Sequence, residues 1–286
     1  MSKELFGAPV AAALQARARE GILSLASKGI IPTLAIFRVG ENQADLAYER
    51  GARMRCEKLG IQVKSMEFPK NITEEEYMKA LETVNDDSEI HGILILRPLP
   101  LHLPEEILCE KISVRKDIDG ATTASLGGVF ANKAIGYCPC TAQAVLEILK
   151  YYGIPLQGRR AAVIGRSLVI GRPAAMLLLH ENATVTLIHS RSEGIEEIVK
   201  QADIVIAATG QMESIGKNCL RNGQTVIDVG ITWNPAKNKL CGDVNMDEIK
   251  DSEIWITPVP GGVGTVTTSV LALHVVEAAQ RQMEKA

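Results

Sequence analysis

Ala161-Ala162-Val163-Ile164-Gly165-Arg166-Ser167-Leu168-Val169-Ile170-Gly171-Arg172-Pro173 reads as a buried strand, a glycine turn and a helix with proline at its first position. This is how a dinucleotide fold holds pyrophosphate: glycines let the backbone approach the ligand, and the helix N-terminus offers unpaired N–H groups. The glycine spacing is not G-x-G-x-x-G, so placement after a strand carries the reading. A structural turn without a ligand is the competing one.

Working outward, apolar runs of strand length recur at Thr184–Ile188, Ile204–Ala207, Thr225–Val229 and Ile254–Ile256, with helical stretches between. The same alternation occupies the first half of the chain. Strands are predicted at Thr33–Phe37, Val63–Met66 and Gly92–Leu96, and helices near Gln43–Leu59 and Glu74–Val84. Alternating strand and helix predicts parallel sheets, hence an α/β fold in two domains. The boundary falls after the helix suggested by Thr141–Tyr152, near Gly153-Ile154-Pro155.

Composition narrows the function. The 286 residues are 46% hydrophobic and 23% charged, which excludes disorder for the chain as a whole. A net charge of −3 provides no basic field for nucleic acid. No apolar run approaches the roughly 20 residues that a membrane span requires. The start, Met1-Ser2-Lys3-Glu4-Leu5-Phe6, lacks the basic and apolar sections of a signal peptide, so a cytoplasmic protein acting on small molecules is expected. The six cysteines are scattered, only Cys138-Pro139-Cys140 being close-spaced, and the five histidines form no ligand pattern. Buried thiols and no metal are expected.

Cofactor choice is read at the end of the strand after the glycine turn, where NAD enzymes place an acid against the ribose hydroxyls. That strand ends in His189-Ser190-Arg191-Ser192, without a carboxylate. Arg166, Ser190 and Arg191 offer donors to a 2′-phosphate, which favours NADP over NAD; solvated loop side chains are the alternative. Gly210, after the next strand, either borders the nicotinamide ribose or is a loop glycine. A second glycine loop, Thr257-Pro258-Val259-Pro260-Gly261-Gly262-Val263-Gly264-Thr265-Val266-Thr267, leads into an apolar helical run. Its prolines fix the incoming backbone and its glycines bare peptide groups for a flat ligand.

With Gly165-Arg166-Ser167, Asp117-Ile118-Asp119-Gly120, Gly92–Pro100, Val39-Gly40-Glu41-Asn42 leading to Tyr48, and Pro258–Gly264 in this order, the chain resembles the methylenetetrahydrofolate dehydrogenase/cyclohydrolase family over nearly its whole length. The resemblance implies a folate domain (residues 1–150 and 265–286), a Rossmann-like NADP domain (151–264), a carboxy-terminal helix returning to the first domain, a substrate cleft between domains and a homodimer. It implies that Tyr48 stacks on or beside folate and that Asp119 binds the pterin, the pair being the catalytic candidates. Leu96, Pro98, Pro258, Gly261 and Gly262 would line the substrate pocket. Thr141, Gly165, Arg166, Ser167, Ser190, Arg191, Gly210, Gly264 and Thr267 would contact the cofactor. The chemistry of Asp119 agrees, since a carboxylate can accept two parallel hydrogen bonds from a pterin's amino group and adjacent N–H.

The departures cluster on the folate side. Where the family has a lysine four residues after the tyrosine, this chain has Ala52; where it reads Val-Gln-Leu-Pro-Leu-Pro, this chain reads Ile95-Leu96-Arg97-Pro98-Leu99-Pro100. Ala142 and Thr265 replace prolines. Arg53 or Arg97 can swing in as a substitute cation, but arginine stays protonated and shuttles protons poorly. Hydride transfer from a one-carbon bridge asks mainly for orientation, whereas methenyl hydrolysis needs a positioned acid/base group. The expectation is an NADP-dependent methylenetetrahydrofolate dehydrogenase with the cyclohydrolase step weak or missing. A rearranged bifunctional site and a non-catalytic paralogue are the alternatives.

Overall fold

All seven residues of Thr33–Val39 are buried, so both faces of this strand are covered, as a central parallel strand requires. The structure, a computed structural model, describes residues 2–284. In chain order β1 (Lys3–Glu4), α1 (Gly7–Ala26), β2 (Thr33–Val39), α2 (Gln43–Leu59), β3 (Gln62–Phe68), α3 (Glu74–Asp86) and β4 (Gly92–Ile95) lead to α4 (Glu105–Glu110), α5 (Thr123–Ala131) and α6 (Cys140–Tyr151). There follow β5 (Arg160–Ile164), α7 (Gly171–His180), β6 (Thr184–Ile188), α8 (Ile195–Gln201), β7 (Ile204–Ala207), β8 (Thr225–Asp228), β9 (Thr232–Asn234), β10 (Lys239–Cys241), α9 (Met246–Ile249), β11 (Trp255–Ile256) and α10 (Val263–Met283).

Two compact units result: Ala13–Cys140 with the chain from Thr268 onward, and the chain up to Ala12 with Thr141–Thr267. In the first, β3-β2-β4 form a parallel sheet. Phe37, Phe68 and Tyr77 meet beneath it, their ring centroids 5.7, 5.5 and 5.3 Å apart pairwise, within the range for favourable aromatic contact. The terminal helix belongs to this unit from Thr268 onward. A Cβ on Gly92 of β4 would meet Val275 of α10, and the Gln282 amide donates to the His91 carbonyl at 2.9 Å.

The second unit holds a parallel sheet of order β1-β11-β8-β7-β5-β6. The chain winds outward in both directions from β5, with β6 on one side and β7 on the other, so the switch point of a doubly wound fold lies at the end of β5. The units differ from the sequence boundaries at residues up to 12, at 141–150 and at 265–267, which join the nucleotide-type sheet unit; Lys3 of β1 pairs with Trp255 of β11. Pro173 is the third residue of α7 rather than the first, still in the turn where its missing N–H costs nothing. An antiparallel β9–β10 hairpin is added that the strand-helix alternation did not announce.

Candidate active site

In the first unit α2 carries Tyr48, Ala52 and Cys56 at i, i+4 and i+8, hence along one face. The helix is fixed at both ends: the Asn42 side chain accepts the Ala44 N–H at 3.0 Å, and Gly60 closes it in the left-handed region at φ 88°. Its flank is locked by buried charge. The Arg38 Nε donates to Glu49 at 2.7 Å, the Ser65 hydroxyl donates to Glu49 at 2.6 Å, and Arg53 lies 3.4 Å away. Burial pushes the Glu49 carboxyl up, but the Ser65 and Arg38 hydrogen bonds overcome it and leave its pKa below the usual value. Arg53 is thereby spent on Glu49, Glu57 and Ser65. Tyr48 is half-buried, while Ala52 and Cys56 are fully buried.

The two aspartates after β4 have different jobs. Asp117 is buried and accepts from the Ala121 and Thr122 N–H groups at 2.8 and 2.9 Å, the Thr122 hydroxyl at 2.7 Å and the Ser125 hydroxyl at 2.6 Å. It organises the start of α5 and has no capacity left for a ligand. Asp119 is half-buried, held by the Cys140 thiol and backbone N–H, with the Arg97 Nη2 3.7 Å from its Oδ2. Burial raises its pKa, opposed by the Arg97 charge and the Cys140 hydrogen bonds. Burial and the nearby Asp119 charge hold the Tyr48 phenol well above its ordinary value, so it stays protonated. Behind this turn the buried His274 Nδ1 donates to the Ile118 carbonyl at 2.8 Å, and burial depresses its pKa, leaving a neutral ring. Thus Tyr48, Asp119 and Arg97 are brought together, Ala52 and Leu96 supply buried apolar surface, and Pro98 is exposed after a cis Arg97–Pro98 bond. Sequence reading singled out Asp119 and Tyr48 but missed the Arg97–Asp119 pairing and His274, whose partners are remote along the chain.

In the second unit the Gly165 N–H donates to the Ile188 carbonyl at 2.8 Å, at the end of the β5–β6 register. Gly165 lies at φ 130°, and a Cβ there would strike the Ala208 carbonyl; one on Gly171 would strike the Gly165 carbonyl. Only glycine fits this close approach. The first turn of α7 has no side-chain cap, but the Arg172 N–H donates to the Ser167 carbonyl at 3.1 Å and Pro173 has no N–H, so within that turn only the Gly171 N–H is left to face an anion. Arg166 and Ser167 on the turn, Ser190 and Arg191 after β6, and Gly210 after β7 are all exposed at the carboxyl ends of adjacent strands. His189–Ser192 forms a tight turn, with the Arg191 N–H donating to the His189 ring at 3.2 Å.

Further along that edge, Asp243 accepts the Thr209 and Gly210 N–H groups at 2.6 and 3.1 Å and so shapes their loop. The Pro258–Gly264 loop has a cis Val259–Pro260 bond and Gly261 at φ 106°; the Gly261 carbonyl accepts the Gly7 N–H at 2.8 Å. Pro258 and Gly262 are buried, Gly261 and Gly264 exposed. Gly264 lies within the first turn of α10, and the buried Thr267 hydroxyl donates to the Val263 carbonyl at 3.1 Å. Thr141 is half-buried in the first turn of α6. None of the six cysteines forms a disulfide, but Cys138 and Cys219 are only half-buried, short of the expected burial. Among the described residues, no three His, Cys, Asp or Glu side chains gather to hold a metal, and no helix is long and apolar enough to cross a membrane.

Comparison with known proteins agrees in both halves. Residues 5–119 match the tetrahydrofolate dehydrogenase/cyclohydrolase catalytic domain, and residues 139–283 match the NAD(P)-binding domain of the same family. The bifunctional protein FolD of Carboxydothermus hydrogenoformans is 47% identical over 281 residues, covering 98% of each chain. The crystal structure of FolD from Campylobacter jejuni superposes with a TM-score of 0.94 at 34% identity, covering 98% of this chain and 99% of that one. The Trypanosoma brucei FolD structure, complexed with NADP cofactor and inhibitor, gives a TM-score of 0.92 at 33% identity, covering 99% and 98%. With a parallel-sheet nucleotide unit, a folate-type unit and relatives matched end to end, the chain belongs to the tetrahydrofolate dehydrogenase/cyclohydrolase family.

Proposed function

We propose that the protein is an NADP-dependent methylenetetrahydrofolate dehydrogenase that produces methenyltetrahydrofolate and hydrolyses it weakly or not at all. The observation that carries this reading is the α2 face: one turn beyond Tyr48 stands the fully buried Ala52, and Leu96 is buried as well. Neither side chain can carry a proton. The dinucleotide fits the second unit, where a glycine-only approach at Gly165 and exposed Arg166, Ser190 and Arg191 suit a phosphorylated ligand. When bound, it supplies a hydride acceptor.

The chain's own residues orient and exclude. Asp119 accepts the pterin N–H groups and fixes the ring, Tyr48 offers its face and a protonated phenol, and Ala52, Leu96 and Cys56 present apolar surface that keeps water away. The loop through Pro258, Gly261 and Gly262 is read as folate- and nicotinamide-lining, and Thr141, Gly264 and Thr267 as cofactor contacts. A cytoplasmic homodimer completes the reading. The bifunctional naming of the relatives favours a second one, in which hydrolysis survives through a rearranged site. A spectrophotometric assay separates the two: with methylenetetrahydrofolate and NADP, the methenyl absorbance should rise and persist. A transient rise followed by enzyme-dependent decay selects the bifunctional reading, and no rise rejects the dehydrogenase.

A further inference from the structure

The Arg97 guanidinium lies 3.7 Å from the Asp119 carboxylate, too far for a hydrogen bond, with side-chain exposures of 23% and 20%. Among the described residues Arg97 has no hydrogen-bond acceptor, so a half-buried cation keeps its donors unspent beside the carboxylate assigned to the pterin. Its neighbours offer no competitor. Leu96 and Cys109 are buried, and the charge of Arg53 is taken up by Glu49 and Glu57.

A pterin presents along one edge a 2-amino N–H, the N3–H and the 4-oxo oxygen, which is donor, donor, acceptor in a row. A carboxylate followed by a planar guanidinium presents acceptor, acceptor, donor. We propose that Arg97 and Asp119 read this edge jointly, Asp119 taking the two N–H groups and Arg97 donating to the 4-oxo oxygen, so that Arg97 is a specificity-determining residue. The proposal rests on the folate reading above. A ring carrying an amino group at position 4 turns that acceptor into a donor facing Arg97 and strips N3 of its hydrogen, and sites built to hydrogen-bond a group reject analogues lacking it.

The test is equilibrium binding of tetrahydrofolate and of its 4-amino-4-deoxy analogue, in which the 4-oxo acceptor becomes an amino donor and N3 loses its hydrogen, under anaerobic conditions near pH 8. The unmodified protein should favour tetrahydrofolate by at least about 100-fold, because the analogue loses the charged hydrogen bond to Arg97 and the N3–H bond to Asp119. Arg97→Leu should lower that ratio by about 10- to 100-fold, the range of one charged hydrogen bond, leaving the part owed to N3 and Asp119, while NADP affinity stays unchanged. Arg97→Lys, which keeps a donor and the charge, should retain part of the preference and serves as the second variant should the leucine disturb the fold. Equal weakening of both ligands by Arg97→Leu would reduce Arg97 to a support for Asp119 and overturn the proposal, as would an unchanged ratio. Failure of the unmodified protein to bind either pterin would instead overturn the folate reading itself.

Discussion

The backbone N–H of Asp243 donates to the buried carboxylate of Asp228 at 3.0 Å, while Asp243 directs its own carboxylate at the Thr209 and Gly210 N–H groups. Two acids at the ends of neighbouring segments thus shape the loop after β7 through backbone donors, with the Gly230 and Val244 N–H groups completing the shell of Asp228 at 3.0 and 2.9 Å. Burial, with the Asp243 charge adding to it against these donors, pushes the Asp228 pKa up to about 6.

That value sets a pH dependence. The folded state holds the Asp228 proton more tightly than the unfolded chain, so the stabilisation is complete below the ordinary carboxylate pKa and is lost as pH rises through about 6. The swing is roughly 2–3 kcal/mol. Unfolding of the wild type and Asp228→Asn, compared between pH 4 and pH 7, should show their stability difference shrinking as pH rises; a constant difference would remove Asp228 as the titrating group.

Arg166 stands exposed on the Gly165 turn, and His189–Ser192 after β6 holds no acid. Arg166→Ala should lower kcat/KM for NADP by about 10- to 100-fold, the worth of a charged hydrogen bond, and leave NAD nearly unaffected. Parallel assays with both cofactors check this, and equal losses would place the 2′-phosphate elsewhere.

Asp119→Asn keeps the shape but turns one acceptor into a donor facing the pterin donors. Dehydrogenase activity should fall at least tenfold, with NADP binding unchanged because Asp119 and the Gly165 turn belong to different units. A comparable loss of nucleotide affinity, or a large fall in Tm, would make Asp119 a turn residue like Asp117.

Ala52 and Leu96 are both buried, so Ala52→Lys alone sets an ammonium against apolar surface and should destabilise the protein. Ala52→Lys with Leu96→Gln supplies the proton carrier and its partner together. A positioned acid/base group is worth ~10²–10⁴ in rate, so the double variant should hydrolyse methenyltetrahydrofolate faster than either single, by a factor within that range. The decay of methenyl absorbance is the readout, and fast decay with the unmodified protein would refute the monofunctional reading.

Much of the architecture was legible along the chain because its causes are local. The span of α2 follows from Asn42 and Gly60 at its ends, β6 and β7 from short apolar runs, and the nucleotide turn from Gly165 and Gly171 between a strand and a helix. Asp119, Tyr48 and the Pro258–Gly264 loop were recognisable by motif. Other features depended on partners that no window of sequence contains. Lys3–Glu4 is too short to declare itself a strand and becomes one only because β11 offers an open parallel edge. The difference between Asp117 and Asp119 is likewise tertiary: both sit in one tetrapeptide, and only the fold turns the first onto the Thr122 and Ser125 hydroxyls and leaves the second beside Arg97. Sequence by itself determined which elements form, since propensity and periodicity act over a few residues. Tertiary structure decided which charges meet, because a hydrogen bond or ion pair depends on separation in space.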